Sequence, residues 1–325
     1  MRTSRRRLIV LASAAAAMLA LPAISNAQSY PTRPVRLVVG FPPGGVADLY
    51  ARLIAQALSD RLGQQVVVDN RTGAGGNIAT ESVIRSAPDG YTLLLAGAND
   101  GWNGALYGNL SFDFVRETAP IARIASFAGA LVAQPSFPYR TVNDLIGFAK
   151  ANPGKITMAS GGVGSASHIF WELLKTMASV DMVHVPYRGE GPALLDMLGG
   201  QVQVMMPTLP PAMEYLKVDK LRPLAVTAAS RLEMLPDVPA LSEFFPGYEA
   251  AGWVGVVAPK GTSVEIVERL NREINAALAD RKIKARIAEQ GGVVVECSPA
   301  EFSNFIVSFN DKWSKVIHAA NIKIE

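Results

Sequence analysis

Residues 35–62 read VRLVVGFPPGGVADLYARLIAQALSDRL, where an apolar run leads through a glycine-rich turn into a helical pattern. The run Val35 to Val39 has the composition of a buried strand. Beyond the turn, apolar residues recur at the spacing of a helix face, Asp48 stands where an N-cap is expected, and Gly63 ends the pattern. The order predicts a strand, a tight turn and a helix.

The same arrangement follows immediately. Val66 to Val68 predict a short buried strand, and residues 70–77, NRTGAGGN, form a second glycine-rich turn before a helix predicted over 78–86. Two parallel strands would then aim two helix N-termini at one edge of a sheet. Because helix N-termini carry unpaired N–H groups and the positive end of a dipole, this edge is predicted to bind an anion such as a carboxylate.

A third turn of this kind lies near the middle of the chain. A strand predicted over 156–159 leads into residues 160–168, SGGVGSASH, and a helix predicted over 167–177. Glycines let the backbone approach a ligand closely, and the serine hydroxyls can donate hydrogen bonds or cap the helix. One such turn is more often only a tight turn with a cap, but three in one chain favour a ligand cleft.

Strand and helix patterns alternate along the rest of the chain. Further strands are predicted at 92–96, 130–133, 183–185, 202–206, 224–226 and 254–257, and helices at 142–151, 193–198, 264–278 and 299–320. This alternation is typical of α/β folds, in which mainly parallel sheets are flanked by helices. A chain of 325 residues exceeds the usual size of one core, which favours two domains.

A set of motifs distributed over nearly the whole chain resembles one family. The motifs are Tyr30 to Asp48, Leu62-Gly63-Gln64, Asn70-Arg71, Gly73 to Asn77, Pro88 to Leu94, Ser160-Gly161 with Gly164-Ser165 and His168, His184 to Gly189, Pro192 to Leu194, Gly199 to Val202, Leu235 to Pro239, Trp253 and Ala258-Pro259. They resemble the Bug (TctC-type) family, the extracytoplasmic solute receptors of tripartite tricarboxylate transporters.

The resemblance implies a periplasmic-binding-protein-like fold with two lobes. We expect one lobe to comprise 28–126 and 229–325 and the other 127–228, with the chain crossing between them near 123–127 and 227–231. It also implies a monomer that binds a small carboxylate between the lobes and delivers it to the membrane subunits of the transporter. Backbone amides, hydroxyls and ordered water from the glycine turns would hold the carboxylate.

Candidate ligand-binding residues are those of the turns and of two further strand ends. They are Gly44, Gly45, Val46, Ala47, Asp48, Asn77, Ala98, Asn99, Ser160, Gly161, Gly164, Ser165, His168, Pro207 and Thr208. The family often has Thr in place of Ala47 and Asp in place of Pro207-Thr208, and both departures predict a less polar cleft, suited to an aliphatic or aromatic carboxylate. Arg71 and Arg188 rank below the turns, because pairing with nearby acids explains them equally well.

The first 27 residues have the order of a signal peptide. Four arginines within residues 2–7 precede an apolar stretch from Leu8 to Leu21, and Ser25-Asn26-Ala27 supplies the small residues that signal peptidase needs. We expect cleavage after Ala27 and a periplasmic protein. The run Ser4 to Ile9 also approaches a twin-arginine signal, so the export route stays open.

Composition excludes several classes of function. The leader holds four arginines and no acid, so the net charge of +3 becomes about −1 once it is removed, which leaves no basic footprint for nucleic acid. Cys297 is the only cysteine, and the three histidines lack metal-ligand spacing. The glycine turns lack the third glycine of a dinucleotide fingerprint and the sequence of a P-loop, so we expect no cofactor and no metal.

An enzyme remains the alternative at this stage. Ser165 and His168 are the sharpest candidate pair, and with them the chain would be an exported α/β hydrolase acting on a carboxylate ester. No acid partner or oxyanion motif accompanies the pair, so a receptor is favoured. His168 is equally compatible with packing at the helix start and with the ligand shell, and His184 is predicted to be packed or hydrogen-bonded.

Four tryptophans complete the candidates. Trp102 follows the end of a predicted strand, where ligands bind in α/β sheets, and is equally compatible with the core and with a cleft wall. Trp171, Trp253 and Trp313 lie in apolar periodic stretches and are predicted to pack in the core or at the hinge.

Overall fold

The computed structural model describes residues 30–322, whose strands form two sheets. In chain order the strands are β1 (Val35–Val39), β2 (Val66–Asn70), β3 (Thr92–Gly97), β4 (Thr118–Ala128), β5 (Ala130–Ala133), β6 (Thr157–Ser160), β7 (Val183–Pro186), β8 (Val204–Met205), β9 (Arg222–Val226), β10 (Ala251–Pro259) and β11 (Gly292–Val294). The first sheet has the order β11-β4-β10-β3-β1-β2, and the second has the order β7-β6-β8-β5-β9.

Helices cover both sheets. They are α1 (Val46–Leu62), α2 (Asn77–Ile84), α3 (Ala98–Tyr107), α4 (Phe114–Glu117), α5 (Val142–Ala151), α6 (Ala166–Ala178), α7 (Glu190–Leu198), α8 (Leu209–Leu216), α9 (Val264–Leu278), α10 (Arg281–Glu289) and α11 (Pro299–Ala319). Two sheets flanked by helices confirm the two-lobed α/β fold.

Both sheets are mixed, so the prediction of mainly parallel sheets is wrong, and the parallel pairs are the ones that carry the glycine turns. In the first sheet β1 pairs in parallel with β2 and β3, whereas β10 runs antiparallel to β3 and β4. In the second sheet β6 pairs in parallel with β7 and β8, whereas β5 runs antiparallel to β8 and β9. The turns after β1, β2 and β3 therefore share one edge, and the turns after β6, β7 and β8 share another.

The backbone passes between the sheets at Gly129 and Thr227. β4 continues through 123–127, where the sequence placed the first crossing, and β5 begins only one residue after β4 ends. Gly129 N–H donates to Thr227 Oγ1 at 2.6 Å, and Thr227 N–H donates to Gly129 O at 2.9 Å. A Cβ on Gly129 would lie 2.8 Å from Pro207 O, so the crossing at Gly129 also packs closely against the strand end at Pro207. The predicted lobe boundaries stay a prediction.

Several local predictions needed correction. Helix α1 begins at Val46 with Gly45 as its N-cap, so the prediction that Asp48 caps it is wrong. Helix α2 covers 77–84 instead of 78–86, and β8 is shorter than the predicted 202–206. The long strand β4 and the helix α3 were not predicted, although both border the proposed cleft.

An aromatic cluster on α11 joins the two lobes. Trp313 is 1% exposed, and its ring centroid lies 5.6 Å from that of Trp102 on α3 and 5.9 Å from that of Phe170 on α6. Phe309 stacks on Trp102 with the centroids 5.5 Å apart. The prediction that Trp313 packs in the core or at the hinge is confirmed, because its ring touches aromatic rings from both lobes.

Replacing Trp313 with alanine should strongly destabilise the protein. The variant loses a fully buried indole and leaves a cavity between aromatic rings, which typically costs about 3–5 kcal/mol. Val307→Ala, on the same helix but 43% exposed, is the control and should change stability by less than about 1 kcal/mol. Urea unfolding monitored by circular dichroism measures both. Equal losses in the two variants would contradict the assigned role of the cluster.

Candidate functional site

The first glycine turn is organised by Asp48, which lies at the third position of α1. Its Oδ2 accepts hydrogen bonds from Gly44 N and Arg52 Nε, both at 2.9 Å, and its Oδ1 accepts one from Asn70 Nδ2 at 3.0 Å. Burial alone would raise the pKa of Asp48, but the hydrogen bonds from Arg52, Gly44 and Asn70 outweigh it and lower the pKa. Asp48 therefore binds the turn from within, and Gly44 and Gly45 stay exposed beside it.

Asn77 begins helix α2 at the end of the second glycine turn. It is 6% exposed, and its Oδ1 accepts a hydrogen bond of 2.8 Å from Asn103 Nδ2, which also donates to Gly75 O. Among residues 30–322, Asn77 Nδ2 has no hydrogen-bond partner. A buried donor without an acceptor is costly, so this atom indicates a place where a ligand oxygen would be stabilised.

At the end of β3, on the same edge of the sheet, Asp100 provides a second carboxylate that bonds the backbone of its own turn. Asp100 Oδ2 accepts Gly97 N–H at 2.8 Å, and its Oδ1 accepts the hydroxyl of Thr80 at 2.5 Å. Burial raises the pKa of Asp100 to about 6, against the lowering effect of these hydrogen bonds. Of the two candidates here, Ala98 is buried and Asn99 is half-buried.

The turn after β6 is held by hydrogen bonds between its own residues. Gly161 N–H donates to Ser167 Oγ at 2.9 Å, and Gly164 N–H donates to His168 Nδ1 at 3.1 Å. Ser165 caps α6, while its hydroxyl donates to Gly162 O at 2.7 Å. The structure thus brings Ser160, Gly161, Gly164, Ser165 and His168 together, but much of their hydrogen-bonding capacity serves the turn.

Two histidines stack behind this turn. The rings of His168 and His184 are nearly parallel, with centroids 4.0 Å apart, and His184 Nε2 lies 2.6 Å from Ser160 Oγ. Burial, and secondarily the neighbouring His168, lower the pKa of His184 to about 4, so its ring is neutral near pH 7. The prediction that His184 is packed or hydrogen-bonded is confirmed.

Trp102 links the two lobes at the site. It is fully buried in the aromatic cluster, and its Nε1 donates to Gly164 O at 3.2 Å. The sequence is compatible with Trp102 in the core or in the cleft wall. Its ring packs in the core, and its N–H reaches the second-lobe turn. Helix α3 and the β6 turn are therefore in direct contact.

At the strand end formed by Pro207 and Thr208, the side chain of Glu190 supplies a carboxylate that was not predicted from the sequence. Pro207 O accepts Ala130 N–H at 3.0 Å, which places this end beside the crossing between the lobes. Thr208 Oγ1 donates to Glu190 Oε2 at 2.6 Å, and Thr208 N–H also donates to the same carboxylate. The prediction of a less polar cleft is therefore not supported here, because α7 supplies a carboxylate.

The remaining residues considered from the sequence are a possible catalytic pair and two arginines. His168 ring nitrogens bond Gly164 N–H and approach Glu172 instead of the Ser165 hydroxyl, so the proposed catalytic pair does not form. Arg71 pairs with Asp69 at 2.9 Å, and Arg188 is exposed. Within residues 30–322 no group of three or more His, Cys, Asp or Glu side chains is arranged to hold a metal ion.

Two surface cavities lie away from the glycine turns. One of about 340 Å³ is lined by Met213, Leu216, Met234 and Leu235 among others, and one of about 800 Å³ runs between α1 and the helices α9 and α10. Neither contains a candidate ligand-binding residue. In the part of the chain that the structure describes, none of the helices is long and apolar enough to span a membrane.

Comparison with known proteins identifies the family. Residues 50–322 match the model of the tripartite tricarboxylate transporter family receptor. The chain is similar to protein BugT of Bordetella pertussis (strain Tohama I), with 36% identity over 305 residues that cover 92% of this chain and 93% of BugT. The chain therefore belongs to the tripartite tricarboxylate transporter receptor family, which confirms the resemblance to Bug (TctC-type) proteins.

Solved structures agree with this assignment. Rpa4515 of R. palustris, solved with adipate, is 36% identical with a TM-score of 0.84, covering 91% of this chain and 100% of that one. MatC (Rpa3494) from Rhodopseudomonas palustris, solved with bound malate, is 30% identical with a TM-score of 0.81, covering 89% and 100%. The chain is accordingly a solute-binding receptor and not an enzyme, so the hydrolase alternative is excluded.

Asp48→Asn should loosen the first glycine turn. An amide NH₂ replaces one of the two acceptor oxygens that serve Gly44, Arg52 and Asn70, and leaving such buried donors unpaired costs about 1–3 kcal/mol. Asp60→Asn, an exposed change on the same helix, is the control and should stay within about 0.5 kcal/mol of wild type. Chemical unfolding measures both variants.

The effect of Asp48→Asn should also depend on pH. The folded-state pKa of Asp48 lies below its usual 3.8, so the stabilisation by its carboxylate is present above that value and is lost as pH falls through the folded-state pKa. The stability difference between wild type and Asp48→Asn should therefore shrink on acidification. A difference that grows in acid would contradict the assignment.

Proposed function

We propose that this receptor is exported to the periplasm, captures a small carboxylate between its two lobes and delivers it to the membrane subunits of a tripartite tricarboxylate transporter. The observation that carries this proposal is Asn77 Nδ2, a buried donor without an acceptor among residues 30–322. It lies at the start of α2, on the same sheet edge as the exposed Gly44 and Gly45. An anion at this edge would complete the hydrogen bonding.

Several converging donors are needed for useful affinity. One helix N-terminus favours an anion by about 0.3–1 kcal/mol when exposed and up to about 2 kcal/mol when partly buried. The free energy lost when a ligand gives up its freedom of motion on binding is larger than the contribution of one helix N-terminus. Helices α1 and α2 both begin at this edge. Asn77 Nδ2 adds a third donor, and the free-energy cost of removing it from water is already met when the protein folds. A carboxylate would therefore be stabilised by all three groups.

The connections between the lobes suit closure around a ligand. The backbone crosses between the sheets at Gly129 and Thr227, and Trp102 Nε1 bridges the lobes to Gly164 O. A ligand that contacts both lobes stabilises the closed form by its differential affinity for that form. We propose that the membrane subunits recognise this closed form.

The solved relatives support a carboxylate as the class of ligand. Rpa4515 was solved with adipate and MatC with malate, and both share the fold over most of this chain. We propose that the candidate residues Gly44 to Ala47 and Asn77 approach the carboxylate directly. Asp48, Ser165 and His168 would act by holding the turns in place, since their polar atoms bond the turn backbones.

A thermal-shift screen of aliphatic and aromatic mono- and dicarboxylates tests this proposal. A ligand that binds only the folded state raises the melting temperature by mass action, so at least one carboxylate should stabilise the protein. Asn77→Asp keeps the acceptor for Asn103 but turns the unpaired donor into an anion. It should weaken binding of that carboxylate at least about 100-fold, or about 2.7 kcal/mol, by titration calorimetry.

Asn143→Asp provides the matched control, because it introduces the same charge at an exposed position on α5. It should leave the affinity unchanged. Stabilisation by sugars or cations but by no carboxylate would overturn the proposed ligand class. Unaltered affinity in a folded Asn77→Asp protein would place the ligand elsewhere.

Export rests on the residue order of the leader, which lies outside the described residues. Mass spectrometry of protein recovered from the periplasm should find a mature N-terminus at or near Gln28. Replacing the apolar stretch from Leu8 to Leu21 with polar residues should retain the full-length chain in the cytosol. Full-length wild-type protein found only in the cytosol would contradict export.

A further inference from the structure

Glu190 places a carboxylate among the candidate ligand-binding residues of the second lobe. It is the first residue of α7 and is half-buried. Its Oε2 accepts the Thr208 hydroxyl at 2.6 Å, and Thr208 N–H lies 3.2 Å from Oε1 and 3.3 Å from Oε2. The side chain of Ser167 makes a further hydrogen bond to it. A Cβ on Gly161 would lie only 3.1 Å from Glu190 Cγ, so the carboxylate reaches the β6 turn.

This carboxylate uses the donors that a ligand anion would need. The N–H and hydroxyl of Thr208 and the side chain of Ser167 converge on Glu190, while Gly161 N–H is already bonded to Ser167 Oγ. A 2.6 Å O–H···O contact is in the range of charge-assisted hydrogen bonds. Burial raises the pKa of Glu190, and the hydrogen bonds from Thr208 and Ser167 act against that rise. The edge of the second sheet therefore carries its own carboxyl group.

A carboxylate has about four acceptor positions, and the shortest contact of Glu190, from the Thr208 hydroxyl, goes to Oε2. Oε1 lies 3.2 Å from Thr208 N, and a carboxylate oxygen has two acceptor positions, so Oε1 has the capacity to accept a further hydrogen bond from a ligand. The two lobes therefore offer a ligand different hydrogen-bonding groups: the first offers an unpaired donor at Asn77, and the second offers an acceptor at Glu190.

We infer that Glu190 makes this receptor selective for monocarboxylates whose far end is a hydrogen-bond donor, and that it disfavours a second carboxylate. This inference rests on the proposed function, because it assumes that a carboxylate binds at the first-lobe edge. Two anions brought close together in a partly desolvated cleft repel each other, whereas an ammonium or hydroxyl group facing Glu190 is attracted. The relatives solved with adipate and malate hold dicarboxylates, the class that Glu190 is inferred to disfavour in this receptor.

The test uses ligands matched in chain length. Hexanoate, adipate and 6-aminohexanoate differ only at the far end, and butyrate, succinate and 4-aminobutyrate form a shorter set. At about pH 8, where carboxylates are ionised, wild type should bind the amino acid best and the dicarboxylate at least about tenfold more weakly than the monocarboxylate. Titration calorimetry measures each affinity.

Glu190→Gln removes the charge while keeping an acceptor for Thr208. In this variant the dicarboxylate should gain at least about tenfold in affinity, and the amino acid should lose about as much. Glu265→Gln is the control, because it removes an exposed acid from the first turn of α9, and it should change neither preference. Thermal unfolding without ligand establishes that both variants are folded.

The outcomes separate the two proposals. If wild type and Glu190→Gln bind the dicarboxylate equally, or wild type prefers it, the role of Glu190 is overturned while carboxylate binding stands. If no member of either set, nor any carboxylate in the thermal-shift screen, binds wild type or variant, the proposed function fails and this inference fails with it. If Glu190→Gln does not fold, the wild-type affinities decide alone: a dicarboxylate bound as tightly as its matched monocarboxylate overturns the role of Glu190.

Discussion

The site depends on one constraint: each backbone N–H at a helix-starting turn needs an acceptor, and the helix itself provides none. The chain meets this need with its own side chains. Asp48 accepts Gly44 N–H, Asp100 accepts Gly97 N–H, Ser167 accepts Gly161 N–H and Glu190 accepts Thr208 N–H. Three of these acceptors are carboxylates, which form the strongest hydrogen bonds to such groups. The turns are therefore held in place before any ligand arrives.

This internal pairing makes the two lobes unequal. In the first lobe, pairing is complete around Asp48 and incomplete at Asn77, whose Nδ2 lacks an acceptor among residues 30–322. In the second lobe, an acid from α7 already serves the strand end at Thr208. A ligand that gains most from both lobes carries an anion at one end only. Glycine turns with similar sequences therefore leave different hydrogen-bonding groups available to a ligand, because different side chains bond their backbones.

The local arrangement of the first lobe was predictable, but its long-range partners were not. The strand and helix flanking residues 40–45 follow from hydrophobic periodicity, and buried Trp171, Trp253 and Trp313 follow from apolar stretches. Asp48 was misassigned because an acid three residues into a helix resembles a cap. β4 was missed because Pro120 and Arg123 interrupt its apolar pattern. Glu190 was missed because an acid at a helix start usually faces solvent, and nothing local indicates its bond to Thr208, 18 residues away.

The proposed closure of the two lobes would depend on the same kind of pairing. Trp102 is fully buried and donates its indole N–H across the lobes to Gly164 O. Opening the lobes would break this bond, although water can replace the carbonyl, so the net loss is about 1 kcal/mol. Trp313 adds aromatic contacts to both lobes, which also favour closure. Under the proposed function, a ligand that pairs with Asn77 shifts this balance by its differential affinity for the closed form.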